Sequence, residues 1–200
     1  MRLLVFGDSN ACRPANGKDC WPAMLQRLGD NTLLVINESC DGRTTRYDTG
    51  ECNGLKIIKK KIMYSLPLNG VMLALGTNDV KFKYGSQNPA EVVAGIDQMV
   101  GIIKKVDSCI QPLLLTPPPL GNVTSGDLAG SQGRIPPLVA EYRRYATSNK
   151  IPLIDLFLAV DTAVDLEPDG VHLNSRGRNK VAGYVWKNIQ KIHSLFVHPL

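Results

Sequence analysis

The chain has 200 residues, of which 44% are hydrophobic and 20% are charged, a balance typical of a globular domain in water. This length suits one domain spanning residues 1–200. The net charge is +5, but the densest basic run is only Lys59-Lys60-Lys61, which we interpret as a solvated helix face. No basic arm with interleaved aromatic residues occurs, so the sequence argues against nucleic acid as a partner.

No apolar stretch approaches the ~20 residues of a membrane span, and the run after Met1-Arg2 is too short for a secretory signal. The five cysteines are an odd number without the spacing of zinc ligands, and their simplest interpretation is as free thiols in a reducing cytoplasm. We therefore expect a cytoplasmic protein that binds neither a membrane nor a metal. The sequence leaves open whether the protein forms a homo-oligomer.

Five short apolar runs recur along the chain and predict buried strands at residues 3–6, 33–36, 71–75, 113–115 and 152–156. Longer segments with helical spacing lie between most of these runs, which is the pattern of βαβ units. Because the runs are almost continuously apolar, we expect a mainly parallel sheet covered on both faces.

Three helices are predicted from their start signals and apolar spacing. One opens at Trp21-Pro22, the second is capped by Asn88 and begins at Pro89, and the third runs from Ser175 to about Leu195. Their apolar residues are Met24, Leu25 and Leu28 in the first, Val92, Ile96, Met99, Ile103 and Val106 in the second, and Val181, Val185, Ile189 and Ile192 in the third.

Residues 116–137 are rich in Gly, Ser and Pro and predict a long loop. A loop of this length in a compact domain is usually functional or mobile. We interpret it as a substrate-lining loop rather than an interdomain linker. Its Leu120, Val123 and Leu128 are candidates for an apolar lid over the site.

Polar residues follow three of the predicted strands. These segments are Gly7-Asp8-Ser9-Asn10, the stretch 37–44, and Gly76-Thr77-Asn78-Asp79. The carboxyl ends of parallel strands share one edge of a sheet, where ligands of such folds bind. A fourth polar segment, Asp169-Gly170-Val171-His172, stands just before the last helix. We therefore expect all four segments at one site.

This set contains the parts that acyl transfer from an ester requires. A serine hydroxyl such as Ser9 needs a base, and the imidazole of His172 is the best candidate. Asp169 can fix the tautomer of that imidazole and stabilise its charged form. The oxyanion needs donors, for which the N–H groups of Ser9 and Gly42 and the side-chain amide of Asn78 are candidates.

Other polar residues have simpler interpretations. Asp8 and Asp79 are expected to stabilise turns, and Asn78 alone could equally cap the segment that follows it. His193 and His198, near the end of the chain, are expected to be exposed.

Together the four segments resemble the blocks of the SGNH (GDSL-type) hydrolase superfamily over nearly the whole chain. The matching residues are Gly7-Asp8-Ser9, Gly42, Gly76-Thr77-Asn78-Asp79 and Asp169-Gly170-Val171-His172. The resemblance implies an α/β protein with a three-layer α/β/α, flavodoxin-like fold around a doubly wound, five-stranded parallel sheet. It also implies ester hydrolysis through a serine acyl-enzyme, without metal or cofactor.

A narrower likeness is to the arylesterase and acetyl-transferring branch. It rests on Val35-Ile36-Asn37-Glu38, Gly42-Arg43-Thr44-Thr45 and the stretch from Leu75 to Lys81, with Trp21-Pro22 and Asn53-Gly54-Leu55. Two departures affect the acyl pocket, because Asn10 stands where leucine is usual and Ser39-Cys40 replaces a common glycine.

The branch handles short acyl groups, and two polar residues suggest the same here. We expect Asn10 and Asp41 to lie beside the acyl group, where a long alkyl chain would strip them of water.

The leading hypothesis is a serine esterase that hydrolyses or transfers small acyl groups of a small-molecule ester. A carbohydrate O-deacetylase or a thioesterase of the same fold stays open. The hypothesis from another class is a non-catalytic α/β ligand-binding module. It is weakened because no glycine-rich phosphate loop follows any predicted strand.

Overall fold

A parallel five-stranded sheet forms the centre of the computed structural model, which describes residues 1–14, 17–84 and 88–196. Its strands are β1 (Arg2–Gly7), β2 (Leu34–Asn37), β3 (Gly70–Ala74), β4 (Gln111–Leu115) and β5 (Leu153–Ile154). They lie in the order β2-β1-β3-β4-β5, and every pairing is parallel. This is the flavodoxin-like order of a doubly wound sheet. The five predicted strands are confirmed, with ends that differ by at most two residues.

Helices cover both faces of the sheet. They are α1 (Ser9–Cys12), α2 (Trp21–Gly29), α3 (Gly54–Ser65), α4 (Pro89–Val106), α5 (Ile135–Asn149), α6 (Leu156–Ala159) and α7 (Ser175–Lys191). Short 3₁₀ helices occur at Asp30–Thr32, Gly50–Cys52, Asn78–Val80, Phe82–Tyr84, Ser131–Arg134 and His193–Phe196. No helix in the described part of the chain is both long and apolar enough to cross a membrane.

Two apolar clusters separate the three layers. Leu4 and Phe6 of β1 face a cluster shared with α3, α4 and α5, whereas Leu3 and Val5 of the same strand face one shared with α2 and α7. Alternate residues of one strand point to opposite faces, so both faces of the sheet are buried. The three-layer α/β/α architecture is therefore confirmed.

The helix signals in the sequence are confirmed with two exceptions, one of which is that α7 ends at Lys191 rather than near Leu195. The Asn88 side chain caps α4 by accepting a hydrogen bond from the N–H of Ala90 at 3.0 Å. The predicted stripes of α4 and α7 face the core. The other exception is that Leu28 of α2 is 48% exposed, whereas Met24 and Leu25 of the same helix are buried.

The loop after β4 is shorter than the sequence predicts. Residues 116–130 have no helix or strand, but a 3₁₀ helix begins at Ser131 and α5 begins at Ile135. The two prolines at 136 and 137 occupy the first turn of α5, where the missing N–H costs no hydrogen bond. Prolines that indicate a loop in the sequence thus start a helix.

The start of α7 packs closely against the preceding segment. A Cβ atom on Gly177 would lie 2.1 Å from the carbonyl oxygen of Asp165. That oxygen also accepts the N–H of Asn174 at 3.0 Å. The contact sets where α7 begins, and therefore where the Asp169–His172 segment before it ends.

We expect Gly177→Ala to lower the free energy of unfolding by about 1–3 kcal/mol, because the backbone must move to admit a methyl group. Gly183 provides a matched control in the same helix, since its added Cβ would meet no atom within 4 Å. Gly183→Ala should raise stability by about 0.5–1 kcal/mol. Urea unfolding of both variants measures the difference, and equal effects would contradict the close contact.

Candidate active site

The three residues expected to form a catalytic triad lie in hydrogen-bonding order. The Oγ of Ser9 is 3.0 Å from Nε2 of His172. Nδ1 of the same ring is 2.6 Å from Oδ2 of Asp169. Residues 163 positions apart in the chain are thus brought into one relay. Such an arrangement can move a proton from the serine to the imidazole.

The acid and the imidazole belong to one tight turn. Oδ1 of Asp169 accepts the N–H groups of Val171 at 2.8 Å and of His172 at 3.0 Å, which leaves Oδ2 for the ring. Burial alone would raise the pKa of Asp169, but the hydrogen bonds from the His172 ring and from the two backbone N–H groups hold it below its usual value. Asp169 therefore stays a carboxylate beside the ring.

Ser9 stands at the junction of β1 and α1. Asp8 fixes this junction, because its Oδ1 accepts the N–H of Asn10 at 3.0 Å. Asn10 in turn accepts the N–H of Leu173 at 3.1 Å through its Oδ1. The side chain of Asn10 is buried and joins the serine turn to the residue after His172, so the structure does not place it in the cleft where the sequence predicts an acyl contact.

Asp41 also lies elsewhere than expected. Its carboxylate forms an ion pair with Arg13 at 2.9 Å and accepts a hydrogen bond from the thiol of Cys12 at 3.1 Å. The hydrogen bond from Arg13 is the main reason that the pKa of Asp41 is lowered. Arg13, rather than Asp41, lines the cleft. The expectation of a polar acyl wall built from Asn10 and Asp41 is therefore replaced by the lining described below.

Three candidate oxyanion donors border the same cleft. The backbone of Gly42 has φ of +74°, a left-handed conformation that favours glycine. One N–H of the Asn78 side chain donates to the carbonyl of Arg43 at 3.2 Å, and an amide has a second N–H for a ligand. Within the described residues no hydrogen bond uses the N–H groups of Ser9 or Gly42, so both are available.

The buried side chain of Arg43 is the feature that the sequence did not reveal as important. Its guanidinium donates to the carbonyls of Gly7 at 3.2 Å, of Glu51 at 3.0 Å and of Glu38. It also lies 4.2 Å from the centre of the Phe6 ring. Burial lowers the pKa of Arg43. The sequence signals were its place directly after Gly42 and its membership of the stretch Gly42-Arg43-Thr44-Thr45, and neither indicated burial.

The candidate residues open into one cleft of about 350 Å³. The loop after β4 forms one wall, which supports its interpretation as substrate-lining. Val123 and Leu128 of this loop face the cleft while Leu120 does not. The lining consists of Ser9, Arg13, Gly42, Asn78, Lys81, Val123, Ser125, Gly126, Asp127, Leu128, Asp169, Val171 and His172.

Two buried carboxyl groups lie beneath the site. Burial raises the pKa of Asp8 to about 7 and that of Asp79 to about 6. Oδ1 of Asp79 accepts the N–H of Thr45 at 2.9 Å and its hydroxyl at 2.6 Å. Asp79 thus links the segments after β2 and β3, which is more than the turn role expected for it. His193 is exposed as predicted, and His198 lies outside the described residues.

This geometry occurs in a chain that matches a known protein family. The model of the GDSL-like Lipase/Acylhydrolase family matches residues 5–180. The matched stretch includes Ser9, Gly42, Asn78, Asp169 and His172.

Individual proteins and solved structures similar to this chain include esterases. The isoamyl acetate-hydrolyzing esterase 1 homolog of Homo sapiens is 26% identical over 208 residues, which cover 95% of this chain and 82% of that protein. Est24, a carbohydrate acetylesterase from Sinorhizobium meliloti, has a TM-score of 0.85 at 21% identity, covering 96% of this chain and 99% of its own. For the M. smegmatis aryl esterase the TM-score is 0.83 at 24% identity, with 97% and 99% covered. The two structures establish a shared fold.

The buried Asp8 carboxyl should make stability depend on pH. Between its ordinary pKa of 3.8 and its raised pKa of about 7, the folded chain keeps a proton that the unfolded chain releases. The free energy of unfolding therefore falls as pH rises through this window. Asp8→Asn removes the free-energy cost of ionising a buried carboxyl group, and the Asn side chain can still accept the N–H of Asn10. We expect its advantage over the wild type to grow with pH, by on the order of a few kcal/mol.

Urea unfolding from pH 4 to pH 8 measures that difference. Asp107→Asn is the matched control, since Asp107 is exposed and its Oδ1 likewise accepts a backbone N–H, that of Cys109 at 2.8 Å. An Asp8→Asn difference that stays constant across the window would contradict the expected titration.

Proposed function

Because this chain belongs to the GDSL-like lipase/acylhydrolase family, we propose that Ser9 is the nucleophile of its ester-cleaving reaction. The chain is an ester-bond hydrolase. The observation that carries the residue assignment is the continuous relay from Ser9 Oγ through His172 to Asp169, at 3.0 and 2.6 Å, on the wall of an open cleft. A non-catalytic binding module would not need such a relay.

In the proposed first step, Ser9 Oγ attacks the ester carbonyl while Nε2 of His172 takes the hydroxyl proton. Asp169 stabilises the imidazolium that forms and holds its tautomer. The carbonyl oxygen becomes negative and accepts hydrogen bonds from the N–H groups of Ser9 and Gly42 and from the Asn78 amide.

The second step breaks the ester bond. The imidazolium of His172 gives its proton to the leaving alkoxide oxygen, and the acyl group stays on Ser9. Water then enters and attacks the acyl carbonyl as His172 takes its proton. The bond to Ser9 Oγ breaks, His172 returns that proton to Oγ, and the carboxylic acid leaves. An alcohol in place of water would give acyl transfer. The side chain of Asp169 is 48% exposed, so water has access to the site and hydrolysis is the proposed outcome.

A short acyl group fits the composition of the cleft. Among the described residues that line it, only Val123, Leu128 and Val171 carry apolar side chains. A long alkyl chain would therefore lie against charged and polar groups, at a cost of about 1–3 kcal/mol for each one stripped of water. Two of the similar proteins are named for acetyl esters, which supports acetate. Carbohydrate O-deacetylation and thioester cleavage are alternative substrates within this proposal.

The proposed partner is a small-molecule ester rather than a nucleic acid or a membrane. We place the reaction in the cytoplasm, as the five free cysteines suggest.

The assignment of Ser9 is tested with a serine-directed organophosphonate probe. Wild-type protein should be labelled once, because an activated serine attacks phosphorus, and Ser9→Ala should not be labelled. Ser125→Ala is the matched control and should label normally. Ser125 lines the same cleft, and no imidazole in the described part of the chain forms a hydrogen bond with it. Labelling that persists in Ser9→Ala would refute the nucleophile.

Turnover of p-nitrophenyl acetate tests the relay. Ser9→Ala and His172→Ala should each lose almost all activity, and the double variant should be no worse than either, because the two act as one unit. If the loss of activity in the double variant equals the product of the two single losses, Ser9 and His172 act independently and the relay is contradicted.

A chain-length series of p-nitrophenyl esters tests the acyl preference. Each added methylene contributes only about 0.8 kcal/mol of binding free energy even when fully buried. This gain does not offset the cost of removing water from the polar groups that line the cleft. Acetyl and propionyl esters should therefore exceed octanoyl esters in kcat/KM. An optimum at eight carbons or more would mean that Val123 and Leu128 move to form an apolar wall.

A further inference from the structure

Lys81 is a cation inside the candidate cleft for which the proposed mechanism has no use. The residue is only 9% exposed, yet it lines the same cleft as Ser9. It follows the 3₁₀ helix Asn78–Val80, and its backbone N–H donates to the carbonyl of Asn78 at 3.4 Å. The backbone of Lys81 is therefore tied to that of the candidate oxyanion donor Asn78, and its side chain projects into the same cleft.

The ammonium of Lys81 has little to neutralise it. Its nearest described carboxylate is that of Asp127 at 3.9 Å, while Lys83 lies 3.0 Å from the same carboxylate. Within the described residues, the side chain of Lys81 makes no hydrogen bond, although an ammonium carries three donors. A largely buried charge without a close partner is costly unless a ligand supplies one.

The charged residues around the cleft give the end near Lys81 a net positive charge. Two lysines, Lys81 and Lys83, share the single carboxylate of Asp127. On the other side, Arg13 is matched by Asp41 at 2.9 Å, and Asp169 is bound to the ring of His172. Among the described cations that line the cleft, Lys81 is therefore the one without a close ion pair, although its charge also acts on the buried carboxyl of Asp79.

We propose that Lys81 is a specificity residue that binds an anionic group, a carboxylate above all, on the acyl or the alcohol part of the ester. This inference rests on the proposed esterase function and adds to it the substrate class. A charged hydrogen bond to the ammonium gives such a substrate an advantage that a neutral ester of the same shape lacks. Asp127 competes with the substrate for the same ammonium.

The test compares matched pairs of esters by pH-stat titration. For the acyl part the pair is monomethyl succinate and methyl butanoate, and for the alcohol part it is 4-acetoxybenzoate and phenyl acetate. The readout is the ratio of kcat/KM, anionic over neutral, because differences in intrinsic ester reactivity cancel when variants are compared.

Lys81→Met should lower this ratio about tenfold for at least one pair, the loss expected for one charged hydrogen bond. Lys81→Arg should retain most of it. Asp127→Asn should raise the ratio, since the competing carboxylate is gone. Lys60→Met is the control for net charge, because Lys60 is exposed on α3 outside the cleft, and its ratio should stay at the wild-type value.

An unchanged ratio for both pairs in Lys81→Met would overturn the inference. If kcat/KM then falls equally for anionic and neutral esters, Lys81 supports the loop and does not select the substrate. If Lys81→Met does not fold, a ratio unchanged in Asp127→Asn overturns it as well. Loss of the inference leaves the esterase function intact as long as phenyl acetate is cleaved in a Ser9-dependent way, whereas a Ser9→Ala variant with full turnover would end the proposed function itself.

Discussion

The buried guanidinium of Arg43 is the interaction on which the arrangement of the site depends. It donates to the carbonyls of Gly7 at the end of β1, Glu38 after β2 and Glu51 in the following segment. Its own carbonyl accepts the Asn78 amide from the segment after β3. A planar group with five donors in a fixed fork can serve several carbonyls at once. The segments at the ends of three strands are thereby fixed to one another, and the candidate oxyanion donors are oriented before a substrate arrives.

A second set of bonds joins these strand ends to the turn that carries Asp169 and His172. Asn10 accepts the N–H of Leu173 at 3.1 Å, and the N–H of Gly121 donates to the carbonyl of Gly170 at 2.8 Å. The first contact ties the serine turn to the histidine, and the second ties the loop after β4 to the same turn. The relay between Ser9 and His172 is therefore held by neighbours on both sides and does not depend on its own 3.0 Å hydrogen bond.

The parts of this design that follow local rules could be predicted from the sequence. Apolar runs identify the strands because each strand is buried on both faces. The candidate residues Ser9, Gly42 and Asn78 follow from the topology, since parallel strands bring their carboxyl ends together. Among the described elements, Asp169 and His172 directly follow no strand, and they were recognisable from their spacing before the last helix. The distances within the site were not predictable.

The parts that depend on the direction of a side chain could not be predicted. Asn10 turns away from the cleft to satisfy the N–H of Leu173, and Asp41 turns out to Arg13. Whether such a side chain contacts the substrate or forms a structural hydrogen bond depends on the direction in which it points. The spacing of apolar residues in the sequence does not indicate that direction. Burial of Arg43 is equally hidden, because arginine is mostly exposed and its burial here is compensated by carbonyls distant in sequence.

The division between fixed and adjustable parts has a consequence for specificity. The residues that would perform the chemistry are tied together by Arg43, Asn10 and the Asp169 turn. The loop after β4 is anchored at its ends, by Gly121 to Gly170 and by the N–H of Gly130 to the carbonyl of Val123 at 3.0 Å, but residues 124–127 between them are exposed. Changes at the loop tip would alter the wall that meets the substrate without disturbing the relay. The same fold can therefore keep one reaction and exchange the esters on which it acts, and the charge that the tip places near Lys81 is one such variable.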